Sequence, residues 1–146
     1  MTLKRKFKTD SKSANEGIKI KYNDSPNSDG SIPVFTLARM SSQNKKYVTK
    51  LRNANETIQA KYGVTEMSKL SEDQDKEMSL ELFVETVLLG WENFEIEDGV
   101  KLEYSTENAK KVFGDPDWID LYTDLKENAL KQANFSKSLV ESIAKN

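Results

Sequence analysis

The residues best suited to chemistry in this chain are carboxylates. Glu92, Glu95, Glu97 and Asp98 crowd the stretch WENFEIEDG at 91–99, and Glu72, Asp73, Asp75 and Glu77 fall in SEDQDKE at 71–77. Such clusters can hold a hard cation or work as an acid–base pair. Neither has the spacing. An EF-hand loop places an Asp five residues before its Gly, and counting back from Gly99 reaches Phe94; the run at 71–77 has no Gly at all. Chance proximity is also assured, since residues 63–146 hold nineteen acids. Glu85, on the most apolar segment, is the one carboxylate whose setting could raise its pKa, and a salt-bridged or rim position is expected for it. The chain has no His and no Cys. That removes the commonest general base, every Ser–His triad, the thiolate nucleophile and Cys-type zinc sites. Its six glycines are scattered and build no phosphate loop. The expectation is a protein that is not an enzyme, with no catalytic residue, no cofactor and no metal.

The acids are then explained by the elements that carry them. Phe94 and Ile96 alternate with Glu95 and Glu97, and Val100, Leu102 and Tyr104 alternate with Lys101 and Glu103. Asp98-Gly99 between them favours a two-residue type I′ turn. The reading is a hairpin at about 93–104, with Glu97 and Lys101 as wet neighbours. Trp91, Phe94, Ile96, Val100 and Leu102 form its apolar face, the candidate partner-binding surface. Removing Trp91 and Phe94 together is expected to end partner binding and leave the fold intact. Trp118 is expected in the core.

Residues 1–16 are rich in Lys, Ser and Asn and read as a flexible basic arm. Residues 17–146 read as one α+β domain, mainly helical from about 41, with one or two small antiparallel hairpins. GIKIKY (17–22) and IPVFTLAR (32–39) read as strands, Pro33 standing at a strand start or edge. Residues 41–63 predict one helix, capped by Ser41 or Ser42, striped by Tyr47, Leu51, Ala54, Ile58 and Tyr62, and stopped at Gly63. A second helix is expected over about 74–90, through Met78, Leu82, Phe83, Val87 and Leu88, with acids at its start. Ser105 should cap TENAKKVF, and Asp115-Pro116 should open a helix striped by Trp118, Tyr122, Leu125 and Ala129. A last helical piece is expected through Phe135, Leu139, Val140 and Ile143.

Charge divides the chain. Residues 1–62 carry thirteen Lys and Arg against five acids, and residues 63–146 nine against nineteen. The split suits two faces with different partners, or halves that attract each other within one fold or between copies. Lys4, Arg5, Lys6, Lys8, Lys46, Lys50 and Arg52 make a candidate basic contact face. Phe7, Tyr22, Tyr47 and Tyr62 interleave with it as a nucleic-acid backbone would need, but a pI near 5.4 weighs against that partner. No apolar core follows the basic start, and no run approaches the ~20 apolar residues of a membrane span, so a cytoplasmic protein without a membrane partner is expected.

One further pattern spans about residues 32–135. LELFVETVLLGWENFEIEDGVKLEYSTENAKKVF followed by DPDWIDLYTDLKENALKQANF, with VFTLARM and a Tyr-bearing basic helix upstream, resembles the tail assembly chaperone-type proteins of tailed bacteriophages. The resemblance implies a non-enzymatic tail morphogenesis factor in the cytoplasm of the infected host, binding tape-measure and tail-tube proteins, with self-association open. The alternative is a structural virion protein of the neck, tail or capsid. It would stay in the particle and use its basic arm on neighbours or DNA; the Lys-rich arm departs from the compact family form.

Overall fold

The computed structural model describes residues 2–136 and 139. Its centre is a strand whose two neighbours come from distant parts of the chain. β1 (Ile18–Lys21) pairs antiparallel with β2 (Val34–Leu37), matching Ile18 to Leu37 and Lys21 to Val34. On its other side β2 pairs antiparallel with β3 (Leu88–Glu92), Phe35 standing opposite Trp91. The two segments expected as strands pair with each other, in a register only the structure gives, and Pro33 immediately precedes β2.

The segment expected as a helix to residue 90 divides. α5 (Glu72–Thr86) ends four residues early and LLGWE becomes β3. An apolar segment must still pair its backbone groups. Here β2 supplies the partners, and Gly90 would cost a helix about 1 kcal/mol relative to Ala. The handover is direct: the Ala38 N–H donates to the Val87 carbonyl at 2.8 Å, just beyond the helix. At its start α5 has a reciprocal cap. The Gln74 N–H donates to Ser71 Oγ at 3.1 Å, and the Ser71 N–H donates to Gln74 Oε1 at 3.0 Å. Glu72, Asp73 and Asp75 occupy the first turn, as the dipole favours.

The expected 41–63 helix is two, α3 (Lys45–Arg52) and α4 (Ala54–Tyr62), broken at Asn53, while Gly63 stops α4 at φ +71° as read. Its cap is Asn44 rather than Ser41 or Ser42. Asn44 Oδ1 accepts from the Tyr47 N–H, and its Nδ2 donates to the Thr86 carbonyl at 2.8 Å, so one buried side chain joins two helices.

The expected free arm of residues 1–16 holds α1 (Leu3–Phe7) and α2 (Ser11–Glu16). α2 is docked. Ala14 is buried, its carbonyl accepts from the Arg39 N–H at 2.9 Å, and Asn15 Oδ1 accepts from the Lys45 N–H at 2.9 Å. The packed unit thus begins before residue 17. Gly17 makes the junction at φ +98°, where a Cβ would stand 2.8 Å from Thr36 Cγ2. A polar composition concealed this because two small residues, Ser13 and Ala14, carry the buried face.

α6 (Thr106–Phe113) is capped by Ser105, and Asp115-Pro116 opens a 3-10 turn, Pro116–Trp118, that runs into α7 (Ile119–Leu130). Leu125 and Ala129 are buried as their stripe requires. α7 stops before Asn134, a 3-10 turn covers Gln132–Phe135, and Phe135 is buried. Leu139 apart, the rest of the expected last helix lies outside the described residues. The core lies between the sheet and α5, α6 and α7, around Phe35, Leu37, Phe83, Val84, Leu88, Trp91, Phe94, Phe113 and Leu125. The architecture is α+β, mainly helical, with two small antiparallel sheets.

Candidate partner-binding surface

The predicted second hairpin exists as β4 (Phe94–Glu97) and β5 (Val100–Leu102). Asn93 redirects the chain into it at φ +56°, a left-handed conformation that Asn tolerates. Its carbonyl accepts from Asn27 Nδ2 at 2.7 Å and its own Nδ2 donates to the Ile32 carbonyl at 3.2 Å. The consequence is that Trp91 and Phe94 enter the core together, ring centroids 5.1 Å apart and perpendicular. They are 7% and 3% exposed. Trp91 Nε1 donates to the Leu102 carbonyl at 2.7 Å. Ile96 and Leu102 are half-buried against the same core, and only Val100, 47% exposed, faces outward. The expected partner face is therefore mostly core. Alternation showed which side chains share a face; it could not show that α6 and the 3-10 turn cover that face.

Glu95 of the hairpin and Asp29 of the 22–33 loop act as fasteners. Only Gly99, at φ +77°, has positive φ in the turn; Asp98 does not, so the expected type I′ geometry, which needs both, is absent. An irregularity between Glu95 and Glu97 puts Lys101 opposite Glu95, and Lys101 Nζ meets Asp29 at 2.6 Å rather than Glu97. Glu95 accepts from the Gly99 N–H at 3.0 Å and from the Ser28 N–H and Oγ at 3.2 and 3.1 Å. These contacts tie the 22–33 loop to the hairpin. The Gly99 N–H and then Ser28 lower the Glu95 pKa, and Lys101 with Ser31 holds Asp29 far below the carboxylate range. Both folded pKa values are depressed, so the fastening is complete above the usual carboxylate range and is lost as pH falls through the depressed values, below about pH 4. The amide proton shifts of Ser28 and Gly99 are expected to titrate together in that window, and the shared titration to vanish in Glu95→Gln. Unlinked curves would remove Glu95 from this role.

Other titratable groups are similarly committed. Burial acts to raise the Glu85 pKa, but Lys50 at 2.5 Å and Lys110 at 3.8 Å outweigh it and the net direction is down. Glu77 is paired with Lys61 at 2.5 Å, which lowers its pKa. Burial pushes the Tyr122 hydroxyl up to about 12. Among the described residues no three His, Cys, Asp or Glu come together as a metal-binding group. The basic candidates lie on or beside two separate elements. Lys4, Arg5, Lys6 and Lys8 lie exposed on and beside α1, near Gln132–Phe135, whereas Lys46 and Arg52 lie exposed on α3, which packs on α5. Lys50 is occupied by Glu85.

The open surface lies beside the hairpin. Two hollows, of about 550 and about 620 Å³, flank Ile96, Glu97 and Trp118, which line both. Pro33 and Leu121 help floor the first, Leu102 and Val112 the second. Glu97, Asp98, Asp115 and Asp117 stand exposed along them. Lys111 also lines the second hollow, paired with Glu107 at 3.4 Å. Trp118 rests its ring perpendicular to Phe94 at 5.0 Å and leaves its outer side in the groove. Trp91 is thus core, whereas Trp118, expected there, is only half-buried against it and lines both hollows. The signal for Trp118 is Asp115-Pro116: it starts a 3-10 turn that leaves Trp118 half-buried at the hollows before the buried stripe of α7 begins.

Fold and surface together define an α+β protein with an open, apolar-floored, acid-rimmed groove, and among the described residues no helix is long and apolar enough to cross a membrane. Residues 42–146 match the family described as YdaY prophage protein. The chain belongs to that family and is a phage-derived protein. No curated protein and no solved structure matches it.

Proposed function

We propose that this prophage-family chain is a non-enzymatic tail morphogenesis factor of the tail assembly chaperone type, acting in the host cytoplasm. It binds other tail proteins, such as the tape-measure or tube protein, through the groove beside Ile96 and Trp118. The groove carries the reading. It combines an aromatic anchor, an apolar floor and a charged rim, the composition of an interface centre with a polar edge. A partly polar surface of this kind suits a partner that must later be released. The absence of His and Cys and the resemblance over residues 32–135 support the same reading.

The test is affinity recovery from cells in which the phage has been induced, with mass spectrometry of the co-purified proteins and of purified particles. Tail proteins should be recovered with the wild-type chain, and the chain should be absent from particles. Trp118→Ala should reduce recovery about 30-fold, since a buried aromatic anchor contributes about 2 kcal/mol or more. Glu97→Lys with Asp117→Lys, confined to the exposed rim, checks the groove without touching the core. Equal recovery by both variants, with unchanged melting, would move the contact elsewhere. The exposed basic α1 favours the second reading, a virion protein tied to neighbours or DNA; stoichiometric retention in particles would select it.

A further inference from the structure

Leu3 and Phe7 lie one turn apart on one side of α1 and are 75% and 53% exposed. Lys4, Arg5, Lys6 and Lys8 surround them, and Lys6 Nζ lies 5.2 Å from the Phe7 ring centroid. α1 is thus a short basic helix with two large apolar side chains in water. The groove is its complement, apolar on the floor and lined by Glu97, Asp98, Asp115 and Asp117. The two places follow the chain's uneven charge, basic before residue 63 and acidic after it.

The arm cannot serve its own groove. It is pinned at the C-terminal end of α7, where the Asp10 N–H donates to the Phe135 carbonyl at 2.9 Å and Gln132 Nε2 donates to the Lys6 carbonyl at 3.3 Å. The groove is at the other end, at Trp118 and Leu121. The twelve residues of α7 separate the two ends by about 18 Å, while the five of α1 extend only about 7–8 Å.

We propose that α1 of one copy docks in the acid-rimmed groove of a second copy, Leu3 and Phe7 on the apolar floor and the lysines against the rim. The inference rests on the groove being a contact surface, as in the proposed function, and not on which tail protein also uses it. The contact joins two different surfaces, so it closes as a reciprocal pair or propagates head to tail. A contact made by so short a helix is small and therefore transient, and its charges make it sensitive to salt.

Sedimentation velocity of the full chain over a wide concentration range tests this. The weight-average sedimentation coefficient should rise with concentration at low ionic strength and stay at the monomer value in about 1 M salt. Lys4→Glu with Lys6→Glu, and separately Glu97→Lys with Asp117→Lys, should each abolish the rise. An equimolar mixture of these two variants should restore it, because each arm then meets a groove of opposite charge on the other variant. All four rim and arm positions are exposed, so circular dichroism should be unchanged. A wild-type chain monomeric at every concentration, or a mixture that stays monomeric, overturns the proposal. Recovery of tail proteins by a strictly monomeric chain would refute self-docking and leave the proposed function standing; the reverse pattern would do the opposite.

Discussion

Phe94→Ala is expected to destabilise the protein by about 3–5 kcal/mol, a large part of the ~5–15 kcal/mol that holds a domain together. Phe94 is where the sheet, the hairpin, α6 and the turn before α7 meet. Its ring centroid lies 5.2 Å from Phe35, 5.1 Å from Trp91, 5.0 Å from Trp118 and 6.4 Å from Phe113. Four rings borne on different elements cannot all close on the void, so little of the lost packing is recovered. Trp91→Ala acts on the same cluster and also removes the donor to the Leu102 carbonyl. The two residues touch, so their effects will not add. Urea unfolding followed by circular dichroism measures the loss: the midpoint should fall sharply with an unchanged slope. A Phe94→Ala chain within ~0.5 kcal/mol of wild type that had lost its partner would restore the hairpin's inner face as an interface.

Asn44→Ala is expected to cost about 2–3 kcal/mol, although the change removes only a small polar group. The side chain does two jobs at once. As N-cap of α3 it accepts from the Tyr47 N–H, a function worth about 1 kcal/mol. Its Nδ2 also satisfies the Thr86 carbonyl, one of the last four of α5 that have no partner within the helix. Leaving that buried carbonyl unpaired costs about 1–3 kcal/mol. Asn44→Asp separates the two. It keeps a capping oxygen but sets a second oxygen against the carbonyl, so it should be at least as damaging as Ala at neutral pH. An Asp variant as stable as wild type would show that the Thr86 contact contributes nothing. Chemical denaturation of the three chains side by side decides it.

Several local signals in the sequence agree with the outcome, although the Asp98-Gly99 turn and the break at Asn53 do not. Ser105 caps α6, Gly63 stops α4, Asp115-Pro116 opens the turn that leads into α7, and the alternation in IKIK marks a strand. Each rests on the conformational preference of a residue or on a period shared by near neighbours, and both are complete within a few positions. The lack of His and Cys is likewise a property of composition, and it sets which chemistries the chain's own side chains can supply. Other features depended on partners far away in the chain. LLGWE is a strand because β2 offers its backbone groups, Asn44 outcompetes two serines because Thr86 lies beneath it, and α2 is docked because Arg39 meets Ala14 while Gln43 and Lys45 meet Asn15. The hairpin's apolar face is core because α6 and Trp118 cover it. The groove is assembled from residues near 22–33, 94–98 and 118–121, which only the packed chain brings together. Periodicity says which side chains point the same way; only the fold decides whether protein or water meets them there.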